Sequence, residues 1–218
     1  GSIVSFAGGS HKPSGVCVLY CSVESRETNG QLAGGIYRSD DHGATWTRAM
    51  GSGIDLRNER RNNSEPAQYE FVLTTDLDPS RVYASRGSGG RVFRSDDRGA
   101  TWRSVLVQSM KSPGFNVGPN YLIDERGGGG DMISGFGINP ANPDHVIVTD
   151  WMDCFITRDG GKTWDSAHTR SAEPPGRRGK GMRWINTGLV VTTVWHYYLD
   201  PFEPNRHYIA YTDIGFAR

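Results

Sequence analysis

A chain of 218 residues with 24 Lys and Arg against 24 Asp and Glu has no net charge with which to hold nucleic acid or an anionic membrane surface. No apolar run approaches the roughly 18 residues of a membrane-spanning helix. The 29 Gly and 11 Pro fall between short apolar or alternating runs with no helical period, which excludes a helix bundle and favours an all-β chain of one large or two small domains.

Along the chain, the first alternating run holds Cys17 and Cys21. Four positions apart on a strand they share a face at roughly 13 Å, too far for a disulfide. With Cys154 they read as buried free thiols, and the absence of a Cys-x-x-Cys pair gives no reason to expect a metal. After a loop from Glu24 comes "YRSDDHGATW", Tyr37–Trp46. A second irregular stretch from Gly51 and a β-rich run, "LDPSRVYASR" (Leu77–Arg86), lead to "FRSDDRGATW", Phe93–Trp102. A long stretch over 106–132 ends in glycines, and "INPANPDHVIVTD" (Ile138–Asp150) precedes "FITRDGGKTW", Phe155–Trp164. A basic, Pro- and Gly-rich segment, His168–Arg183, reads as a mobile, solvated linker, or else as a contact for an anionic polysaccharide or acidic partner. The chain closes on "VTTVWHYYLD" and "LDPFEPNRHYIAYTD", which repeats the earlier Pro-turn-and-strand pattern.

Ten residues written three times at near-constant intervals are the signature of a repeat architecture. Aligned on Trp46, Trp102 and Trp164, each copy reads Ser/Thr-x-Asp-x-Gly-x-Thr-Trp, with Asp41, Asp97 and Asp159 in the acidic slot and Gly43, Gly99 and Gly161 in the glycine slot. The chemistry suits a tight corner between two strands. The Asp accepts backbone N–H groups of the turn, the Gly supplies positive φ, the hydroxyls tie the loop to itself, and the Trp packs between neighbouring sheets. An active site is needed once and a fold element once per unit, so repetition marks these Asp residues as structural rather than catalytic.

The pattern resembles the Asp-box, or BNR repeat, of sialidases, sortilin-type receptors and xyloglucanase-like glycoside hydrolases. The resemblance implies a β-propeller of four-stranded antiparallel blades, each box joining third and fourth strands. The blade units fall at about 1–50, 66–107, 131–166 and 190–218, the last incomplete, giving about three and a half blades. Propellers close with typically four to eight blades. Residues 1–218 are therefore expected to form part of a ring, with seven blades the natural size and the remainder supplied by a longer chain or another chain.

In such a blade the boxes and the short Pro turns lie on one face, and the long irregular stretches gather on the other. Loops collected on one face of a rigid scaffold are where binding and catalysis concentrate. Asp150 in "VTDWMDCF" and Asp213 in "YTDIGF" end strands on that face, as acid/base groups or as loop caps. The stretch Arg126–Trp151 resembles the opening of xyloglucanase-type propellers through Gly127–Gly130, Gly135, Pro140, Pro143, Thr149 and Asp150. There the Asp after Thr is the general base, which makes Asp150 the first candidate and Asp213 the second. It also implies an inverting enzyme with its two carboxyls roughly 6.5–9.5 Å apart. The following "WMDC" departs from that family, and the family's general acid lies in a second propeller.

Trp151, Trp184 and Trp195 are candidate sugar-stacking rings, with His196 and Arg183 as candidate polar contacts. The leading expectation is a carbohydrate-active propeller, a glycoside hydrolase acting on a polysaccharide or oligosaccharide without a cofactor, and secreted, periplasmic or extracellular. The rival is a non-catalytic sortilin-like or assembly-factor-like propeller binding a protein or peptide on the same face. A sialidase fits less well, because no Phe/Tyr-Arg-Ile-Pro motif is present.

Overall fold

The computed structural model describes residues 1–57, 66–86, 91–128, 132–188, 194–203, 205–211 and 215–217. Strands β1 (Ile3–His11), β2 (Val16–Thr28), β3 (Gln31–Ser39) and β4 (Thr47–Arg48) form the first four-stranded sheet, paired in chain order. The second repeats this order with β5 (Tyr69–Leu73), β6 (Val82–Arg86), β7 (Arg91–Ser95) and β8 (Arg103–Leu106). A short helix, α1 (Tyr121–Arg126), intervenes before the third sheet of β9 (Ile133–Asn139), β10 (Asn142–Asp150), β11 (Cys154–Thr157) and β12 (Asp165–Ser166). A two-stranded hairpin, β13 (Thr169–Ser171) with β14 (Trp184–Asn186), follows, and then a three-stranded sheet of β15 (Val194–Leu199), β16 (His207–Tyr211) and β17 (Gly215–Ala217). The chain is thus three antiparallel blades and most of a fourth.

The three boxes are superposable in their hydrogen bonds. In the first, Asp41 Oδ1 accepts from the Ser39 hydroxyl at 2.7 Å and from Thr45 N at 2.9 Å, while Oδ2 accepts from the Thr45 hydroxyl. Asp97 holds Ser95 and Thr101 in the same way, and Asp159 holds Thr157 and Thr163. The Thr45 bonds lead in drawing the Asp41 carboxyl down to about 2. At Asp159 burial opposes, but the Thr163 hydroxyl and amide outweigh it and the carboxyl again falls to about 2. The residue before each box glycine, His42, Arg98 or Gly160, has φ of 59°, 60° or 72°, so each corner turns through two left-handed residues in succession.

Blades join through a repeated set of contacts. The indole N–H of Trp102 donates to Ala49 O at 3.0 Å, and that of Trp164 donates to Val105 O, so these two box Trp side chains each bind the outer edge of the blade before them. The linker after that edge runs parallel to the box: Trp102 N donates to Ser52 O at 2.8 Å and Trp164 N to Asn116 O at 3.0 Å. There is no room for a side chain here, since a Cβ on Gly51 would stand 1.8 Å from Ala100 O. The second strand adds a tyrosine, with Tyr20 OH donating to Pro79 O at 2.8 Å and Tyr83 OH to Pro143 O at 2.9 Å. The third strand adds an arginine aimed at the left-handed corner, with Arg38 Nη1 donating to Arg98 O at 2.9 Å and Arg94 Nη1 to Gly160 O at 3.0 Å. Two apolar cores fill the spaces between, one around Tyr20, Ile36, Tyr69 and Trp102, the other around Tyr83, Phe155 and Trp164.

Four expectations need correction. The box Trp does not always lie between sheets: Trp164 is 0 % exposed, but Trp46 is 38 % exposed on the outer face of the first blade. The stretch from Glu24 is no irregular loop; β2 and β3 extend through it to a turn at Asn29 and Gly30, both with positive φ. Helix α1 was not expected. Its first turn is capped by Asn120 Oδ1 accepting from Ile123 N, and it stops at Gly127 with φ 84°, both readable in "NYLIDERG". The three cysteines are free, yet only Cys21 is buried, Cys17 and Cys154 being half-buried. Among the described residues no helix is long and apolar enough to cross a membrane.

Candidate functional site

Asp150 is the last residue of β10, and its carboxylate builds the turn that follows. Oδ1 accepts from Met152 N at 2.8 Å and Asp153 N at 2.7 Å, Oδ2 accepts from Gln108 Nε2 at 3.3 Å, and Asp150 N donates to Asp153 O. An Asp bonding backbone N–H groups two and three residues on is the local bonding that caps loops. The turn so fixed lifts Trp151 to 75 % exposure and leaves Met152 exposed beside it.

Beneath the turn lies a polar cluster that the sequence reading passed over. The Asp153 side chain is 1 % exposed. Its Oδ2 accepts from Asn120 Nδ2, and its Oδ1 from Cys154 N at 2.8 Å, with His168 Nδ1 at 3.2 Å. Burial pushes the Asp153 carboxyl up, against the Asn120 amide and His168, which favour its ionised form. The same burial, reinforced by Asp153 and Asp150, raises the Cys154 thiol to about 11, so it is no ready nucleophile. Ser166 Oγ lies 3.3 Å from His168 Nδ1 and 3.5 Å from Asp153 Oδ1. Hydroxyl and carboxylate meet the same ring nitrogen, whereas a nucleophile relay needs them on opposite ones. Asn120 does two jobs, capping α1 and binding Asp153, which ties the helix to the Trp151 turn.

The basic segment is tied down rather than free. Arg178 sets Nε 2.8 Å from the fully buried Asp124 carboxylate, donates from Nη1 to Val117 O at 2.7 Å, and lies over the Phe115 ring. Glu125 accepts from Gly181 N, Met182 N and Trp184 Nε1, and Glu173 pairs with Arg177 and Arg183. Most of this positive charge is therefore matched within the fold. Trp184 meets Tyr121 edge to face at 5.9 Å, a ring packed on α1. The exposed Arg183 stands on β14's approach, held by Glu173.

Between β12, β13 and the Pro-rich arm opens a cleft of about 390 Å³. Ser166, Thr169 and Ser171 furnish hydroxyls, Pro119, Pro174 and Pro175 apolar walls, and Arg170 and Asp165 charge at its rim. Its floor residue Ser166 is the one that touches the Asp153 cluster, so cleft and Trp151 turn share one polar support. Trp195 and His196 lie on β15, and Asp213 lies outside the described residues. No group of three or more His, Cys, Asp or Glu gathers as a metal site among the described residues.

The BNR/Asp-box repeat pattern matches residues 37–48 and 155–166. The middle copy, outside those ranges, has the same corner bond for bond. This is a BNR-type propeller. Among solved structures it is similar to the GH74 xyloglucanase from Xanthomonas campestris, at 16% identity over 97% of this chain and 27% of that one, with a TM-score of 0.53. A GH74 enzyme from Niastella koreensis matches at 17% identity over 69% of this chain and 19% of that one (TM-score 0.40). YCF48 from Cyanidioschyzon merolae matches at 15% identity over 75% and 36% (TM-score 0.37). This chain spans about a quarter of the xyloglucanase's length, and likeness at such identity establishes the fold alone. No curated protein matches by sequence.

Proposed function

We propose that this propeller binds a saccharide on its loop face, with Trp151 as the stacking ring and the adjoining hydroxyl-lined cleft as the polar wall, and that Asp150 positions Trp151 rather than acting as a base. The observation that carries this reading is the exposure of Trp151, 75 %, on a turn whose two backbone N–H groups are both held by Asp150. A ring held on a pre-fixed turn loses little entropy when a ligand arrives. The apolar face of a pyranose matches an indole, while its hydroxyls suit a cleft of Ser, Thr, Arg and Asp. Hydrolysis is less well supported. A general base must reach a water, and the Asp150 carboxylate is buried and engaged at both oxygens.

The test is binding of the full chain to a panel of plant, algal and microbial polysaccharides, run beside reducing-sugar release. Trp151→Ala is expected to weaken binding at least tenfold, about 1.4 kcal/mol, with folding intact and no sugar released by any variant. Sugar release abolished by Asp150→Asn in a folded protein would overturn the reading and make Asp150 the base. Binding unchanged in Trp151→Ala would remove the ring from the site.

A further inference from the structure

Helix α1 has six residues, well short of the roughly 12–15 at which a helix becomes even marginally stable alone in water. Contacts from outside must hold it, and they come from the arm between β13 and β14 and from the first residue of β14. Arg178 Nε and Gly179 N each donate to Asp124 Oδ1 at 2.8 Å. Gly181 N and Met182 N donate to Glu125 at 3.0 Å, as does Trp184 Nε1, whose ring packs on Tyr121. The helix in turn fixes its own cap. Asn120 N donates to Asp124 Oδ2 at 2.9 Å, and Asn120 Oδ1 accepts from Ile123 N at 3.0 Å. With its main chain and its oxygen engaged, the carboxamide keeps one orientation, and its Nδ2 meets Asp153 Oδ2. Asp124, Asn120 and Asp153 are all buried, so bulk water does not replace a bond lost between them.

We infer that the arm is a strap whose docking on α1 sets the position of the Trp151 ring, with Asn120 as the positioning residue that carries the coupling. The helix is the two-state element that such coupling requires. With the strap docked, α1 is formed, Asn120 is oriented, and Asp153 is held at the foot of the 150–153 turn. With the strap lifted, so short a helix unwinds, the Asn120 amide turns away, and Asp153 loses that donor. The coupling is reciprocal. A ligand seated between Pro174 and Pro175 of the strap and the β12–β13 wall favours the docked strap, and so the fixed ring. To the saccharide reading this adds that cleft and ring are ordered together.

The experiment follows hydrogen exchange of the Met152 and Asp153 amides in the full chain by NMR, with the box amides of Thr45, Thr101 and Thr163 as the reference for an intact fold. No saccharide is added, so the outcome is independent of whether the wild type binds one. Asn120→Asp keeps the cap oxygen but sets a carboxylate against Asp153. It should speed exchange at both turn amides at least about tenfold, the scale of one buried hydrogen bond. Glu125→Ala releases three donors of the strap without stranding a buried charge. It should speed the same amides about threefold or more, although it touches neither. The double variant should exchange no faster than Asn120→Asp alone, because the link is already cut. Asn120→Asp combined with Asp153→Asn exchanges donor for acceptor and keeps the cap, so rates should return to within about twofold of the wild type. Where Asn120→Asp disturbs the box amides, Glu125→Ala decides by itself. Turn amides unchanged in Glu125→Ala, effects that multiply in the double variant, or no recovery in the exchanged pair would each overturn the inference.

Discussion

The two faces of the propeller use the same residue type to opposite ends. On the box face, Asp41, Asp97 and Asp159 sit in one arrangement three times, and each carboxyl is drawn below its ordinary range by a Thr hydroxyl and amide and a Ser or Thr hydroxyl. On the loop face, Asp150, Asp153 and Asp124 are each placed once, with different partners. Asp153 is pushed up by burial where Asp159 is drawn down. A repeated carboxylate is a corner brace. A unique one fixes a single local connection: Asp150 the Trp151 turn, Asp153 the tie to Asn120, and Asp124 the Arg178 arm.

The sharpest way to break the comparison is through the tryptophans. Trp164→Ala empties a fully buried site between blades and is expected to cost about 3–5 kcal/mol in urea denaturation. Trp46→Ala should cost the isolated chain well under half of that, because its ring is 38 % exposed and, among the described residues, meets only the Phe6 ring. Equal losses would mean that the outer face is covered after all. Next comes Arg178→Ala, which leaves the Asp124 carboxylate buried and unpaired. A local loss of about 2–3 kcal/mol is expected, read as faster hydrogen exchange over 169–186 with the boxes unaffected.

The acids give a smaller effect of opposite signs. Asp159 has a folded value near 2 against an ordinary value of about 4. Its contribution, about 1 kcal/mol after solvent screening, is full above pH 4 and is lost as pH falls toward 2. Asp153 is raised, so the folded chain holds its proton longer than the unfolded chain, and stability declines as pH rises past the ordinary carboxylate value. Urea midpoints measured from pH 2 to 7 should therefore fall less on the acid side in Asp159→Asn, with Asp41 and Asp97 keeping their own shares, and gain stability at the neutral end in Asp153→Asn. The smallest effect is Trp151→Ala on stability, within about 0.5 kcal/mol, because the ring leans on nothing that a fold needs.

The box face was legible because repetition marks what local chemistry demands. Ser39, Asp41, Gly43 and Thr45 bond almost wholly among themselves, so ten residues suffice to read the corner. The loop face was legible only in outline. The Thr-Asp pattern located Asp150 and Trp151, but the bonds that decide their roles come from Gln108, 42 residues earlier, and from a turn whose members are adjacent. Asp153 gave no signal, since its meaning depends on Asn120 and His168, brought to it by a helix and a hairpin. The linker looked mobile because its arginines, glycines and prolines suit solvent. Their partners Asp124, Glu125 and Glu173 were unremarkable in sequence and decisive in space.

One feature of the seams bears on how such chains diverge. In the contacts repeated from seam to seam the acceptors are main-chain carbonyls, such as those of Ala49, Pro79, Arg98, Val105, Pro143 and Gly160, whereas contacts outside the repeat use side chains, as Asp144 accepts from Arg81 and Gln68 from Ser25 N. A carbonyl is present whatever side chain the residue carries, so half of each contact is immune to substitution. In these repeated contacts only the donors, a Trp, a Tyr and an Arg per blade, are under restraint, and the Tyr and Arg positions are taken by Ile147 and Ile156 in the third blade. Mutational drift can therefore run through much of a blade without unfastening it from its neighbour, which fits a shared fold persisting at 16% identity.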